Sequence, residues 1–114
     1  MRELLSCKIH KATVTQADVS YIGSITIDSD LLEKTDLWPG QKVLVVSNTS
    51  GARLETYVLK GQSGSGEICV NGAAAHLIKE GEEVIIIGFE FSENPILEPK
   101  CILVDEQNKF VRYL

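Results

Sequence analysis

Apolar and polar side chains alternate along this chain in short stretches with a period near two, separated by glycine, proline, asparagine and serine. Over residues 4 to 15 the alternation puts Cys7, Ile9, Lys11, Thr13 and Thr15 on one face of a strand and Lys8, His10, Ala12 and Val14 on the other. Gln16 to Ser20 is polar and is expected to turn the chain. Tyr21 to Asp28 is a second β-branched run, interrupted at Gly23-Ser24, and such an interruption marks a bulge or a close backbone approach. Asp30-Leu31-Leu32-Glu33 has the acidic cap and following Glu that open a short helix, which ends before Trp38-Pro39-Gly40. Lys42 to Ser47 and Ala52 to Leu59 read as a hairpin turning through Asn48-Thr49-Ser50-Gly51.

Gly61 to Gly66 is a flexible polar connection that lacks the Lys-Ser/Thr ending of a phosphate-binding loop. A short strand over Glu67 to Val70 leads to a turn at Asn71 to Ala75 and a small-residue helix near His76 to Lys79. Glu82 to Phe91 is the strongest strand signal, Ser92 to Pro99 a proline-bounded loop, and Lys100 to Val104 with Phe110 to Tyr113 the last strands. So many short strands beside two brief helical stretches imply a mainly β, closed or nearly closed barrel, not alternating βαβ units.

Composition narrows this to one domain over residues 1–114. A formal charge of -5 without a Lys/Arg cluster argues against nucleic acid or an anionic membrane as partner. Cys7, Cys69 and Cys101 form no C-x-x-C pair, as expected of structural thiols in a reducing cytoplasm. No cluster of His, Cys or carboxylates has metal-ligand spacing, so no metal is expected. The early Lys8 and the strand-length run from Val84 to Phe89 leave no candidate leader or transmembrane helix.

The chemistry-bearing stretch is Tyr21-Ile22-Gly23-Ser24. A serine hydroxyl beside a glycine carbonyl can attack its own backbone, and Gly23, without a Cβ, can adopt dihedrals that expose that carbonyl. The amide becomes an ester, the ester eliminates, and the serine is left as a ketone. Equally, Gly-Ser is a common turn dipeptide that only bends a loop.

Four segments in register carry a resemblance: Lys8-Ile9-His10, Tyr21-Ile22-Gly23-Ser24, Asn48 to Arg53 followed by Glu55-Thr56-Tyr57, and Val70 to His76. Together they resemble the pyruvoyl-dependent aspartate 1-decarboxylases, small bacterial enzymes with a double-psi β-barrel fold; the likeness runs from Met1 to Phe91 and thins beyond Pro95. It implies autocatalytic cleavage between Gly23 and Ser24, leaving a covalently built-in pyruvoyl group derived from Ser24 as the only cofactor. It further implies decarboxylation of L-aspartate to β-alanine and carbon dioxide for pantothenate and coenzyme A.

By the same resemblance Tyr57 is the proton donor and Thr56 assists processing and contacts substrate. Arg53 holds a substrate carboxylate through its guanidinium fork, and Lys8 supplies a second positive charge. Gly72, Ala73 and Ala74 form a substrate-binding loop whose small side chains and exposed N–H groups suit an anion. His10, Tyr21 and Asn71 support the site, and His76 is left structural. Family members form homotetramers with active sites between subunits, which is carried over here. Two departures stand out: Val46 replaces a common aromatic, and the chain stops at Leu114, so contacts made by a longer tail are expected to be missing. The rival expectations are a non-catalytic barrel that binds a partner and a proenzyme that stays uncut.

Overall fold

A computed structural model describes residues 1–114, all of the chain. Its strands are β1 (Arg2–Thr13), β2 (Gln16–Asp18), β3 (Ser24–Asp28), β4 (Lys42–Ser47), β5 (Arg53–Gly61), β6 (Ile68–Asn71), β7 (Glu83–Ser92), β8 (Lys100–Val104) and β9 (Phe110–Tyr113). Helix α1 spans Ser29–Thr35, and a 3-10 helix spans Gly72–His76. β1 pairs antiparallel with β7, β7 with β4, and β4 with β5. β5 runs parallel to β3, β3 antiparallel to β6, and β6 parallel to β2. Because β2 is the continuation of β1 past Val14 and Thr15, these pairings close a ring with few free edges. The result is the expected mainly β, double-psi barrel. β8 adds to the outer side of β1 in parallel, and β9 pairs with β8.

Inside the ring lie the β-branched residues that the alternation supplies: Ile9, Ile25, Ile27, Val45, Val58, Ile68 and Ile86 are all buried. Leu31 and Leu32 of α1 close one end of this core. The alternation of β1 does not run unbroken. Lys11 adopts φ 65° and the register with β7 shifts between Ile9 and Ala12, a bulge that flips the face. Cys7, Ile9, Ala12 and Val14 therefore all point inward, which corrects the expected partition. Lys8 and His10 still share an outer face.

Other expectations also move. Gln16–Asp18 is a strand, since ring closure demands a partner for β6 and outweighs its polar composition. The strand expected from Tyr21 begins only at Ser24, and Val19 to Gly23 turns outside the barrel. The cap of α1 is Asp28, not Asp30: its Oδ1 accepts from the Asp30 N–H at 2.9 Å. The helical stretch after β6 begins four residues earlier than His76, as a 3-10 helix.

Residues 61 to 66 are pinned, contrary to a flexible connection. Buried Asp28 also accepts from the Gly64 N–H at 3.1 Å and the Gly66 N–H at 2.8 Å. From the other side Asn108, itself buried at φ 59°, donates to the carbonyls of Gly66 and Thr13, each at 2.8 Å, and accepts from the Thr13 N–H at 2.8 Å. One side chain thus ties the turn between β8 and β9 to both the end of β1 and the loop before β6. Asn108→Ala leaves these backbone groups unpaired and places a Cβ-bearing residue that tolerates positive φ poorly. It is expected to destabilise the fold by about 3 kcal/mol in urea unfolding at matched protein concentration; a loss below about 1 kcal/mol contradicts this reading of the contact.

Candidate functional site

The Gly23-Ser24 bond lies where the outer turn meets the barrel. Tyr21, Ile22 and Gly23 are exposed, whereas Ser24, the first residue of β3, is fully buried. Its hydroxyl donates to the Ile22 carbonyl at 3.0 Å and accepts from Asn71 Nδ2 at 3.0 Å. The second hydrogen of that amide reaches Thr26 Oγ1 at 3.1 Å. This geometry follows from strand pairing, because Ser24 and Asn71 are direct partners across β3 and β6. Thr26, two residues on, faces the same way as Ser24; its role in steadying Asn71 was legible only as that spacing.

Gly23 does not use a left-handed conformation. The residue that does is Gly72, at φ 75°, where β6 turns into the 3-10 helix directly against the Gly23 backbone. Ala73 is exposed beside it, and Ala74 is half-buried. On the other side of β3, the pairing Ile25 with Val58 places Tyr57 level with Ser24 and Thr56 level with Gly23. Along β5, Thr56 takes the inner face with Val58, whereas Arg53, Glu55 and Tyr57 take the outer one. The site residues therefore fall into two groups.

The outer group spreads across one sheet face. Glu55, Leu44, Ile87 and Lys8 are successive cross-strand partners over β5, β4, β7 and β1, so Lys8 shares the outer face of Arg53 and Tyr57. Three strand steps separate β1 from β5, about 14 Å along the sheet, and a fourth reaches β3. Within one chain Lys8 and His10 are thus not brought onto Ser24. They line instead a cleft of about 750 Å³ with Pro99, Lys100, Tyr113 and Leu114. Glu55 is held by Lys42 at 2.8 Å, while Arg53 is exposed and makes no ion pair within the chain.

A clasp missed in the sequence holds the turn before Arg53. Ser47 Oγ accepts from the N–H groups of Thr49 at 3.2 Å and Ser50 at 3.1 Å and donates to Glu82 Oε1 at 2.5 Å. Glu82 Oε2 accepts from the Lys79 N–H at 2.7 Å. The Ser47 hydroxyl, first among several donors, keeps the Glu82 carboxyl below its ordinary pKa. Two thiols shift the other way: burial pushes Cys7 up to about 11 and raises Cys69 as well. No group of three or more His, Cys, Asp or Glu side chains is placed to hold a metal, and no helix is long and apolar enough to cross a membrane.

A closed barrel of this size, with a buried serine oriented behind an exposed glycine, defines the class of small double-psi barrel enzymes. The family model described as aspartate decarboxylase matches residues 1–111, well past Pro95, where the sequence likeness was expected to thin. The chain is 48% identical to aspartate 1-decarboxylase of Bacillus subtilis, covering 99% of this chain and 91% of that protein. Identity to the enzymes of the same name from Acetivibrio thermocellus and Neisseria meningitidis is 51% and 50%, over 95% of this chain and 88% and 87% of theirs. The chain belongs to the aspartate decarboxylase family.

The clasp predicts a pH signature. A carboxyl with a lowered folded pKa contributes stability that is present above its ordinary value, 4.5, and is lost as pH falls through the lowered one. Glu82→Gln is therefore expected to lower the melting temperature near neutrality, with the gap to the parent closing as the pH falls from 4.5 through the lowered pKa. A gap independent of pH speaks against the carboxylate as the source.

Proposed function

We propose that this chain decarboxylates L-aspartate to β-alanine and carbon dioxide, using a pyruvoyl group that it makes from Ser24. The observation that carries the proposal is the buried Ser24 hydroxyl, fixed by Asn71 at the boundary with exposed Gly23. Ser24 Oγ bonds to the Gly23 carbonyl carbon, the C–N bond breaks, and the hydroxyl proton passes to the freed nitrogen. The resulting ester loses the Ser24 Cα proton and breaks its Cβ–O bond, releasing Gly23 as a carboxylate. Tautomerisation and one water then expel ammonia and leave a ketone at residue 24. Asn71 orients the nucleophile, and Thr56, level with Gly23 on the inner face, supplies a hydroxyl to the oxyanion. Such a donor is worth about 3 kcal/mol of barrier.

Once formed, this ketone supplies an electron sink for the pair released as the α-carboxylate leaves. The surrounding side chains do the rest. Arg53 and Lys8 bind the two carboxylates of the substrate, the small residues Gly72, Ala73 and Ala74 let the backbone approach it, and the Tyr57 phenol returns a proton to the carbon. His10 and Tyr21 line the same space. Since Arg53, Tyr57, Lys8 and His10 face outward and Ser24 lies several strands from β1, the complete site takes these groups from a neighbouring copy. A homotetramer with sites between subunits meets that need. Family membership supports a cytoplasmic enzyme that supplies β-alanine for pantothenate and coenzyme A.

Borohydride added with aspartate is expected to trap substrate covalently on the parent enzyme and not on Ser24→Ala, which stays folded, uncut and inactive. β-Alanine formation by Ser24→Ala removes the mechanism, and a parent chain that stays uncut and untrapped favours a binding module or a dormant proenzyme. Tyr57→Phe is expected to cleave normally yet lose about a hundredfold in kcat. Arg53→Lys is expected to raise KM about tenfold; unchanged constants in either variant sink the assigned role.

A further inference from the structure

The turn that presents the scissile bond is weakly held by its own chain. Tyr21, Ile22 and Gly23 are exposed, and the one hydrogen bond made by a backbone N–H in this stretch runs from Tyr21 to the Asp18 carbonyl at 3.3 Å. What it rests on is Gly72. A Cβ at position 72 would lie 2.6 Å from Gly23 Cα, 2.8 Å from Gly23 N and 3.2 Å from the Tyr21 carbonyl oxygen. These are backbone atoms, so no rotamer change relieves the contact, and ordinary carbon contacts of about 3.5 Å demand a displacement of about 1 Å. Gly72 cannot supply that movement. It is buried between Asn71, which is paired on both sides by β3 and β2, and Ala75, which is packed in the core. The exposed turn must yield, and it carries the carbonyl that Ser24 attacks.

We propose that Gly72 is the positioning residue for self-cleavage: its bare Cα is the seat on which the Gly23 backbone lies, and any side chain there moves the scissile carbonyl off line from Ser24 Oγ. This rests on the cleavage proposed above and gives Gly72 a role separate from substrate binding. A misplacement of about 1 Å at a reacting centre costs about a hundredfold in rate.

Two substitutions separate the contact from backbone strain. Gly72→Ala adds both a Cβ and strain at φ 75°, while Gly72→Asn adds the Cβ with less strain, because Asn tolerates the left-handed region. Gly81, at φ 88° with no atom within 4 Å of its would-be Cβ, is the control for strain alone. Cleavage half-times of freshly purified full-length protein are followed by intact mass, and melting temperatures are taken in the uncuttable Ser24→Ala background. Gly72→Ala and Gly72→Asn are each expected to cleave about a hundredfold more slowly than the parent, and Gly81→Ala within about threefold of it. In the Ser24→Ala background Gly72→Asn is expected to melt with Gly81→Ala. Parent-like cleavage by Gly72→Asn overturns the proposal, as does a melting temperature far below the control, which assigns the contact to folding. A parent that never cleaves at Gly23-Ser24 instead refutes the proposed function itself.

Discussion

Closure of the barrel through the chain's own continuation, β1 into β2 and onto β6, is the constraint on which the rest depends. It holds β6 on two sides, between β2 and β3, and so leaves the register of β6 no freedom to slip. That register sets Asn71 opposite Ser24. A slip of one residue would turn the amide to the other face and strip the hydroxyl of the group that orients it. The short strand Gln16–Asp18 adds only the partly buried Ala17 to the core, yet without it β6 has an open edge and Ser24 an unfixed neighbour.

From this frame follows a division between the two faces of β5. Thr56 faces inward beside the scissile bond, and Tyr57 and Arg53 face outward. The cleavage proposed above would therefore reside inside one chain, while Arg53, Tyr57 and Lys8 look away from it. Alternation along a single strand is enough to send neighbouring residues to different tasks. The outer face carrying Lys8, Arg53 and Tyr57 is also lined with half-buried Leu44, Val46, Ile85 and Ile87, which suits the shared site proposed above. Those apolar residues gain from being covered.

The sequence reading located most strands, the hairpin turning at Asn48 to Gly51 and the shared face of Lys8 and His10, because these depend on local alternation and turn chemistry. It misplaced what depends on distant partners. The bulge at Lys11 breaks alternation with no glycine to announce it, and Asp28 rather than Asp30 caps α1 because the loop at Gly64 and Gly66 needs the same carboxylate. For the site, the chemistry of Gly23-Ser24 only singled it out beside the reading of an ordinary turn, and its assignment, like that of the remaining residues, came through family likeness, not through pattern. The contact between Gly23 and Gly72 was not legible at all. Gly72 carries the left-handed φ, and no feature of its own neighbourhood in sequence says that it touches Gly23.

The central claim is that this barrel breaks the peptide bond before Ser24 and keeps the ketone. Mass spectrometry of the purified, denatured protein tests it most directly. The account predicts two chains, one ending in the free carboxylate of Gly23 and one beginning at residue 24 and lighter than its serine form by one ammonia. A chain that remains whole while the protein converts aspartate to β-alanine would contradict it.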